Sequence, residues 1–547
     1  MRRLALILLW PAAAFAQTSG PAPLKPEDLC SVEGHVSSAA TGEPVGKSSV
    51  RLARASSPAA QVSDTYAATA DLTGRFVLRN VEPGTYQMRV IRNGFVTAQY
   101  GARGSRTLLT LARGQRLTLD FRLTPHGVIT GRVLDPDGEP VVAAWVQIHR
   151  SRYSDGKRRL TTVGSMNTND LGEYRFYGLE PGKYYVSATG GPSAGPIAEE
   201  GYVTTYYGGA AEAARAAPLD LAAGGQARGV DLALRRARFY RVAGRVVDAT
   251  ATGPRASFRV YVEDLTGEGV LRQAAPIGPA GAFEFRGVPP GRYSVSAVLV
   301  GRGRNLSAAA PVEVGASDIE GIVITISPGF SFNGRLRVEG DAPLEMRKAM
   351  IRLQTGPRSP EDYSLGTSGP WNIQSAQVAE GGGFKFEEAN PGRYEVTVLG
   401  LPDGYYMKAV RADGVDITTS GLNLANAAPG LLDILVSPNA GQAAGVVQDP
   451  ESQQPVAGAT VALVPQEKDR RALFTFYQDA LTDEHGRFRF QNVVPGEYRI
   501  FAWDEVEATA WLDPDFMKPL EGKGKPITIR EGGQASVQAT LIRGDQQ

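Results

Sequence analysis

Gly74-Arg75-Phe76-Val77-Leu78-Arg79-Asn80-Val81-Glu82-Pro83-Gly84-Thr85-Tyr86 decides the fold, because the chain writes this pattern five times. The other copies carry Gly172-Glu173-Tyr174 with Pro181-Gly182-Lys183-Tyr184, Gly281-Ala282-Phe283 with Pro290-Gly291-Arg292-Tyr293, Gly382-Gly383-Phe384 with Pro391-Gly392-Arg393-Tyr394, and Gly486-Arg487-Phe488 with Pro495-Gly496-Glu497-Tyr498. The leading aromatic and the Tyr stand ten apart every time, and successive prolines are 98, 109, 101 and 104 residues apart. A period of that length is the size of a small domain, not of a solenoid repeat.

Phe76 and Leu78, and beyond the Pro-Gly step Tyr86, Met88 and Val90, alternate with other residues. Period two puts each set on one face of a strand. Pro pre-sets φ for a turn and the following Gly tolerates a positive φ, so the motif reads as a β-hairpin closed by a type II turn. Upstream, alternating pairs recur at Val50 and Leu52, Val146 and Ile148, Val260 and Val262, Ile351 and Leu353, and Val461 and Leu463. Each unit opens on a Gly in an apolar strand (Gly34, Gly131, Gly244, Gly334, Gly445) and closes on another strand, such as Leu117 to Leu123 or Val230 to Leu234. About six or seven short strands per ~100 residues, without a helical period, is the arithmetic of an all-β sandwich.

The order Gly-x-Val, Asp-x-x-Gly-x-Phe, Leu-x-Pro-Gly-x-Tyr resembles the carboxypeptidase regulatory-like domain. That resemblance implies a transthyretin-like or Ig-like sandwich, and it is also similar to collagen-adhesin B-type repeats and carbohydrate-binding-like folds. Asp71, Asn169 and Asp483 hold the turn position in the first, second and fifth units, whereas Gly278 and Ala379 stand there in the third and fourth. The expected organisation is a signal peptide at 1–16, a linker at 17–29, and five tandem sandwiches at 30–125, 126–238, 239–328, 329–438 and 439–547.

The start of the chain carries the address. Met1-Arg2-Arg3 is basic, Leu4 to Trp10 apolar, and Ala14-Phe15-Ala16 offers a small-x-small cleavage site before Gln17, which together read as a secretory leader. Leu4 to Trp10 is far short of the ~20 apolar residues a bilayer span needs, so no membrane span is expected. Export would leave the protein extracellular, or periplasmic in a Gram-negative source. Cys30 is the sole cysteine and cannot form an internal disulfide. Without Arg2 and Arg3 the charges balance at 56 basic to 57 acidic, which lacks the field of a nucleic-acid binder.

Catalytic chemistry is not legible. None of His35, His126, His149 and His485 begins a zinc-binding spacing, so no metal or other cofactor is expected. Gly191-Pro192-Ser193-Ala194-Gly195 has the letters of a nucleophile elbow but sits in a Pro- and Gly-rich loop instead of between a strand and a helix. Asp135-Pro136-Asp137-Gly138-Glu139 lacks the order of a calcium loop and reads as a turn. The first strands lack the Lys that an isopeptide staple would use.

Binding is the remaining class. A sandwich can stack sugar rings on outward aromatics, and strand parity places Trp145 and Trp503 away from their own cores, with Trp371 in a loop. Tyr202, Tyr206 and Tyr207 form the densest aromatic cluster, which the related Phe95 and Tyr100 of the first unit also mark as a structural loop. The expectation is a secreted, non-enzymatic binding or structural protein. Its partner would be a polysaccharide or cell-surface glycan or, as the alternative, an extracellular protein.

Overall fold

The computed structural model describes residues 25–54, 65–101, 108–154, 157–190, 199–250, 257–265, 272–301, 304–340, 342–354 and 373–544. The leader, most of the linker, Gly191 to Gly195 and Trp371 lie outside them. Contacts divide the chain into residues 1–125 and 126–547. No helix among the described residues is long and apolar enough to cross a membrane.

In the first unit, strand Cys30–Ser38 is flanked by Arg75–Val81, antiparallel, and by Arg116–Thr118 and Phe121–Leu123, both parallel. A second sheet sets Ser49–Arg54 between Thr65–Thr69 and Gly84–Ile91. The same pairings recur in unit 126–547. Gly127–Leu134, Tyr240–Asp248, Phe330–Val338 and Gly441–Gln448 each pair with the strand that carries the leading aromatic. Trp145–Ser154, Ser257–Asp264, Met350–Gln354 and Thr460–Pro465 each pair with the strand that follows Pro-Gly.

The strands on either side of Pro-Gly, expected as a hairpin, are not hydrogen-bonded to each other: in the first four copies they belong to different sheets, and in the fifth they are non-neighbouring strands of one seven-stranded sheet, so the motif is an arch and not a hairpin. Parity is indifferent to this, because both geometries send alternate side chains into one core. The left-handed residue is also elsewhere. Gly84 and Gly392 are near-extended at φ 158° and Gly182 lies at φ 140°, while Asn80, Gly178, Gly287, Glu388 and Asn492, each four residues before the Gly, have φ of 57°, 72°, 72°, 55° and 55°. The pairing slips there, as between Cys30↔Val81 and Val32↔Leu78, so each copy carries a β-bulge that turns the strand end toward the arch.

Among the described residues, the buried apolar side chains fall into six clusters, five of which each gather round one copy of the motif. The motif aromatics lie in them, with Phe76 and Tyr86, Tyr174 and Tyr184, Phe283 and Tyr293, Phe384 and Tyr394, and Phe488 and Tyr498 all buried. Each motif Tyr donates its hydroxyl to the carbonyl four residues earlier: Glu82 (2.7 Å), Glu180 (2.7 Å), Pro289 (3.0 Å), Asn390 (2.9 Å) and Val494 (2.7 Å). The ring fills the core while its one polar atom ties down the arch, in the manner of the tyrosine corners of Ig-like sandwiches. The opening Gly has an equally local cause. At Gly34, Gly131, Gly244 and Gly445 a Cβ would collide with the carbonyl oxygen of Leu119, Val230, Ile322 or Val537 in the closing strand. Cys30 is buried in the first core with its Sγ 2.9 Å from the Ala112 carbonyl, which closes it to intermolecular pairing in the folded state.

Candidate functional site

Strand Trp145–Ser154 is the middle of a sheet, between Lys157–Asn167 and Gly182–Thr189. Val146 and Ile148 point into the core with Tyr184 and Val186, so Trp145 takes the other face, where it is 43% exposed. Its cross-strand partners there are Asn167 and Thr189, and the next row is Gln147, Ser165 and Ser187. One flat aromatic face amid amides and hydroxyls is what sugar stacking requires. Asn167 also lines an open cleft of about 700 Å³ that includes Arg132, Asn169, Glu173 and Asp231. Arg132 Nη2 lies 2.9 Å from Glu173 Oε1, Asn169 Nδ2 donates to Glu173 Oε2 at 3.4 Å, and the Arg132 amide donates to Asp231 Oδ1 at 2.8 Å. The hydrogen bond from Arg132, then that from Asn169, holds the Glu173 carboxyl below its ordinary range, so the cleft is ionised and polar at neutral pH.

The same strand is closed off further along. After a register shift between Ile148 and His149, the buried His149 ring lies 2.8 Å from Ser187 Oγ and 3.1 Å from Thr162 Oγ1. Burial pushes its pKa down to about 4. A neutral imidazole between two hydroxyls is satisfied, and it leaves Trp145 at the wet end of the sheet face.

The other predicted residues separate. Trp503 does lie opposite Tyr498, Ile500 and Ala502, as parity demands, but it is 0% exposed, which corrects the expectation of an accessible ring. It stacks on Phe501 (centroids 5.8 Å apart) and Trp511 (6.1 Å) in a separate cluster with Met517 and Leu520. Tyr206 is buried as well and is withdrawn as a stacking ring. Tyr202 and Tyr207 are half-buried against the second copy's core. An Arg236 guanidinium sits 5.8 Å from the Tyr202 ring centroid, and the Tyr202 hydroxyl is 3.5 Å from Asp135 Oδ2. Asp135 itself accepts from the amides of Asp137 and Glu139 at 2.9 Å each and pairs with Arg236 at 2.8 Å, so the acidic stretch that superficially suggested calcium is a hydrogen-bonded turn. Tyr177, which the sequence reading passed over, is 77% exposed. The signal existed, since Tyr174 and Phe176 both point inward and the next residue must face out.

The model of the carboxypeptidase regulatory-like domain matches residues 31–124, 128–234 and 442–541. No curated protein matches the sequence. Among solved structures, the Bacillus anthracis TIE protein is similar at 14% identity and a TM-score of 0.17, over 55% of this chain and 51% of that one, so this chain spans about half of its length. A minor pilin of Streptococcus agalactiae is similar at 11% identity and a TM-score of 0.23, over 38% of this chain and 96% of that one. A protein of Pseudomonas aeruginosa described as a candidate carbohydrate-binding protein is similar at 17% identity and a TM-score of 0.12, over 16% of this chain and 87% of that one.

Proposed function

The chain belongs to the carboxypeptidase regulatory-like domain family, and from that premise we propose that it is an exported, non-enzymatic array of five sandwiches with a polysaccharide-binding face on the second. The sandwiches meet at 125/126, 238/239, 328/329 and 438/439. The observation that carries the binding reading is Trp145, a large ring 43% exposed on a sheet face whose neighbours are Asn167 and Thr189, beside a polar cleft. The ring supplies apolar stacking and the amides and hydroxyls supply direction, a division of labour that suits a pyranose chain. Retention of the purified protein on insoluble polysaccharides tests it. Trp145→Ala should abolish retention while the circular dichroism spectrum is unchanged; equal retention of parent and variant would remove the face from consideration.

A second reading, an extracellular scaffold with protein partners, draws on the polar joints within unit 126–547. Glu395, in the fourth copy, is buried and accepts from the Thr475 amide at 2.8 Å and from the Thr475 hydroxyl in the fifth. The Gly404 amide donates to Asn492 Oδ1 at 2.6 Å. Joints of this kind favour fixed spacing between sandwiches, and absence of retention on every polysaccharide tried would leave this reading standing. For export, N-terminal sequencing of protein recovered outside the cytoplasm should begin at Gln17.

A further inference from the structure

Two enlargements of the repeated unit meet each other. In the second copy the paired strands Trp145–Ser154 and Lys157–Asn167 have 10 and 11 residues, against 6 and 5 for Ser49–Arg54 and Thr65–Thr69 in the first and 6 and 4 for Thr460–Pro465 and Gln478–Leu481 in the fifth. The extra length ends in a tip bearing Arg152, Tyr153, Lys157, Arg158 and Arg159. In the fifth copy, the connection from Gly496–Trp503 to Lys525–Ile529 folds into short helical turns at Ala510–Leu512, Pro514–Met517 and Lys518–Lys523. It carries Asp504, Glu505, Glu507, Asp513 and Asp515, of which Glu507, Asp513 and Asp515 lie close enough to Tyr153 to act on its phenol.

Tyr153 joins the two across 354 residues of chain, its amide donating to Glu507 Oε2 at 3.2 Å. Its ring meets Phe516 edge-on, with centroids 5.5 Å apart at 63°, and Arg158 lies 5.9 Å from the same ring. Burial, and then the nearby carboxylates of Asp513, Glu507 and Asp515, push the Tyr153 phenol up against the opposing pull of Arg158. Phe516 in turn reaches the Trp503 stack, so the tip rests on a segment anchored to the fifth copy.

We propose that the basic tip of the second copy and the acidic 504–516 segment of the fifth form an electrostatic clasp that holds residues 126–547 closed and opens as ionic strength rises. Among the described residues the contact includes the Tyr153 amide on the Glu507 carboxylate, an edge-on ring pair, and largely exposed charges of both signs around Tyr153. Exposed ion pairs are individually weak and salt-screened, and the screening length falls from ~8 Å at physiological salt to ~3 Å at 1 M. A clasp built this way is reversible where a buried apolar interface would not be.

Small-angle scattering of the full chain tests it. The radius of gyration should rise between low salt and about 1 M salt, a concentration at which screening is nearly complete. Arg152→Glu with Arg158→Glu should be expanded already at low salt, and adding Glu507→Lys with Asp515→Lys should restore the compact value, a rescue that misfolding would not permit. Tyr153→Ala, which leaves every charge in place, should open at lower salt than the parent. A radius of gyration that is the same at both salts and in the first double variant, or a swap that fails to restore compactness, would overturn the clasp.

Discussion

The first, second and fifth copies differ from the third and fourth in how the arch is held, although all five share the strand pairings on either side of it. In the first, Arg54 Nη2 reaches the Pro83 carbonyl at 3.3 Å and the Tyr86 hydroxyl at 3.2 Å. In the second, Arg150 lies 5.3 Å from the Tyr184 ring and reaches the Pro181 carbonyl at 3.5 Å. In the fifth, the guanidinium comes from another element altogether, Arg470 of the helical turn Lys468–Arg471, and donates to the Pro495 carbonyl at 2.8 Å. Among the described residues, Tyr293 and Tyr394 have no such guanidinium; Asp264 is the strand partner of Tyr293, and burial is what pushes the Tyr394 phenol up. The family model matches only the three Arg-bearing copies. The fold is therefore carried by the opening Gly, the paired aromatics and the Tyr hydroxyl, and the Arg is reinforcement that no described residue supplies in the other two copies.

If that division is right, removing the shared element should be costly in both groups and removing the reinforcement costly in one. Tyr184→Ala and Tyr394→Ala should each cost ~3–5 kcal/mol by deleting a buried ring, read as loss of hydrogen-exchange protection confined to the affected copy. Protection surviving in either would break the comparison at its root. Next in size, Gly131→Ala sets a Cβ against the Val230 carbonyl, and overpacking of this kind costs ~1–3 kcal/mol; an unchanged melting transition would mean that the closing strand moves freely. Smaller again, Arg150→Met should cost ~0.5–1 kcal/mol of cation–π and hydrogen-bond support. A loss as large as that from Tyr184→Ala would promote the Arg from reinforcement to requirement.

Period two made the inward faces readable, and the pairs predicted from it, such as Val50 and Leu52 or Val461 and Leu463, are all buried. It could not say which strand each strand pairs with, because an arch and a hairpin project the same side chains, and so the Pro-Gly step was assigned to the wrong connection. Nor could it say what covers an outer face. Trp145 and Trp503 have the same parity, yet one lies open and the other beneath residues 504–520, a segment with neither strand nor helix period to announce it. Trp145 as a candidate was legible; the cleft beside it was not, because it joins Asn167 to Arg132 and Asp231 from strands far apart in sequence.

The smallest effect separates the two groups at a single turn. Asp71 Oδ1 accepts from the amides of Thr73 and Arg75, Asn169 Oδ1 from Leu171 and Glu173, and Asp483 Oδ1 from His485 and Arg487, at 2.7–3.0 Å. The fourth copy makes the same backbone turn without that acceptor, Ala379 N donating to the Gly383 carbonyl at 2.8 Å and Gly382 N to the Ala379 carbonyl at 2.9 Å. Ala379→Asp should therefore find amides already in place at Gly381 and Gly383 and stabilise the fourth copy by about 0.5 kcal/mol, the low end for an exposed hydrogen bond. The sign of its pH dependence follows from Asp483, whose carboxyl is held below its ordinary value by the Arg487 amide first and the His485 amide after it. A folded pKa below the unfolded one, near 3.9, contributes stability at neutral pH that is lost as pH falls through the folded value. The urea midpoint of Ala379→Asp should thus exceed the parent's at pH 7 and approach it near pH 3, while Asp483→Ala should fall below the parent at pH 7 and converge with it in acid. A gain of equal size at both pH values would mean that the new side chain acts without its charge, and the carboxylate would lose its place as the feature that distinguishes the two kinds of turn.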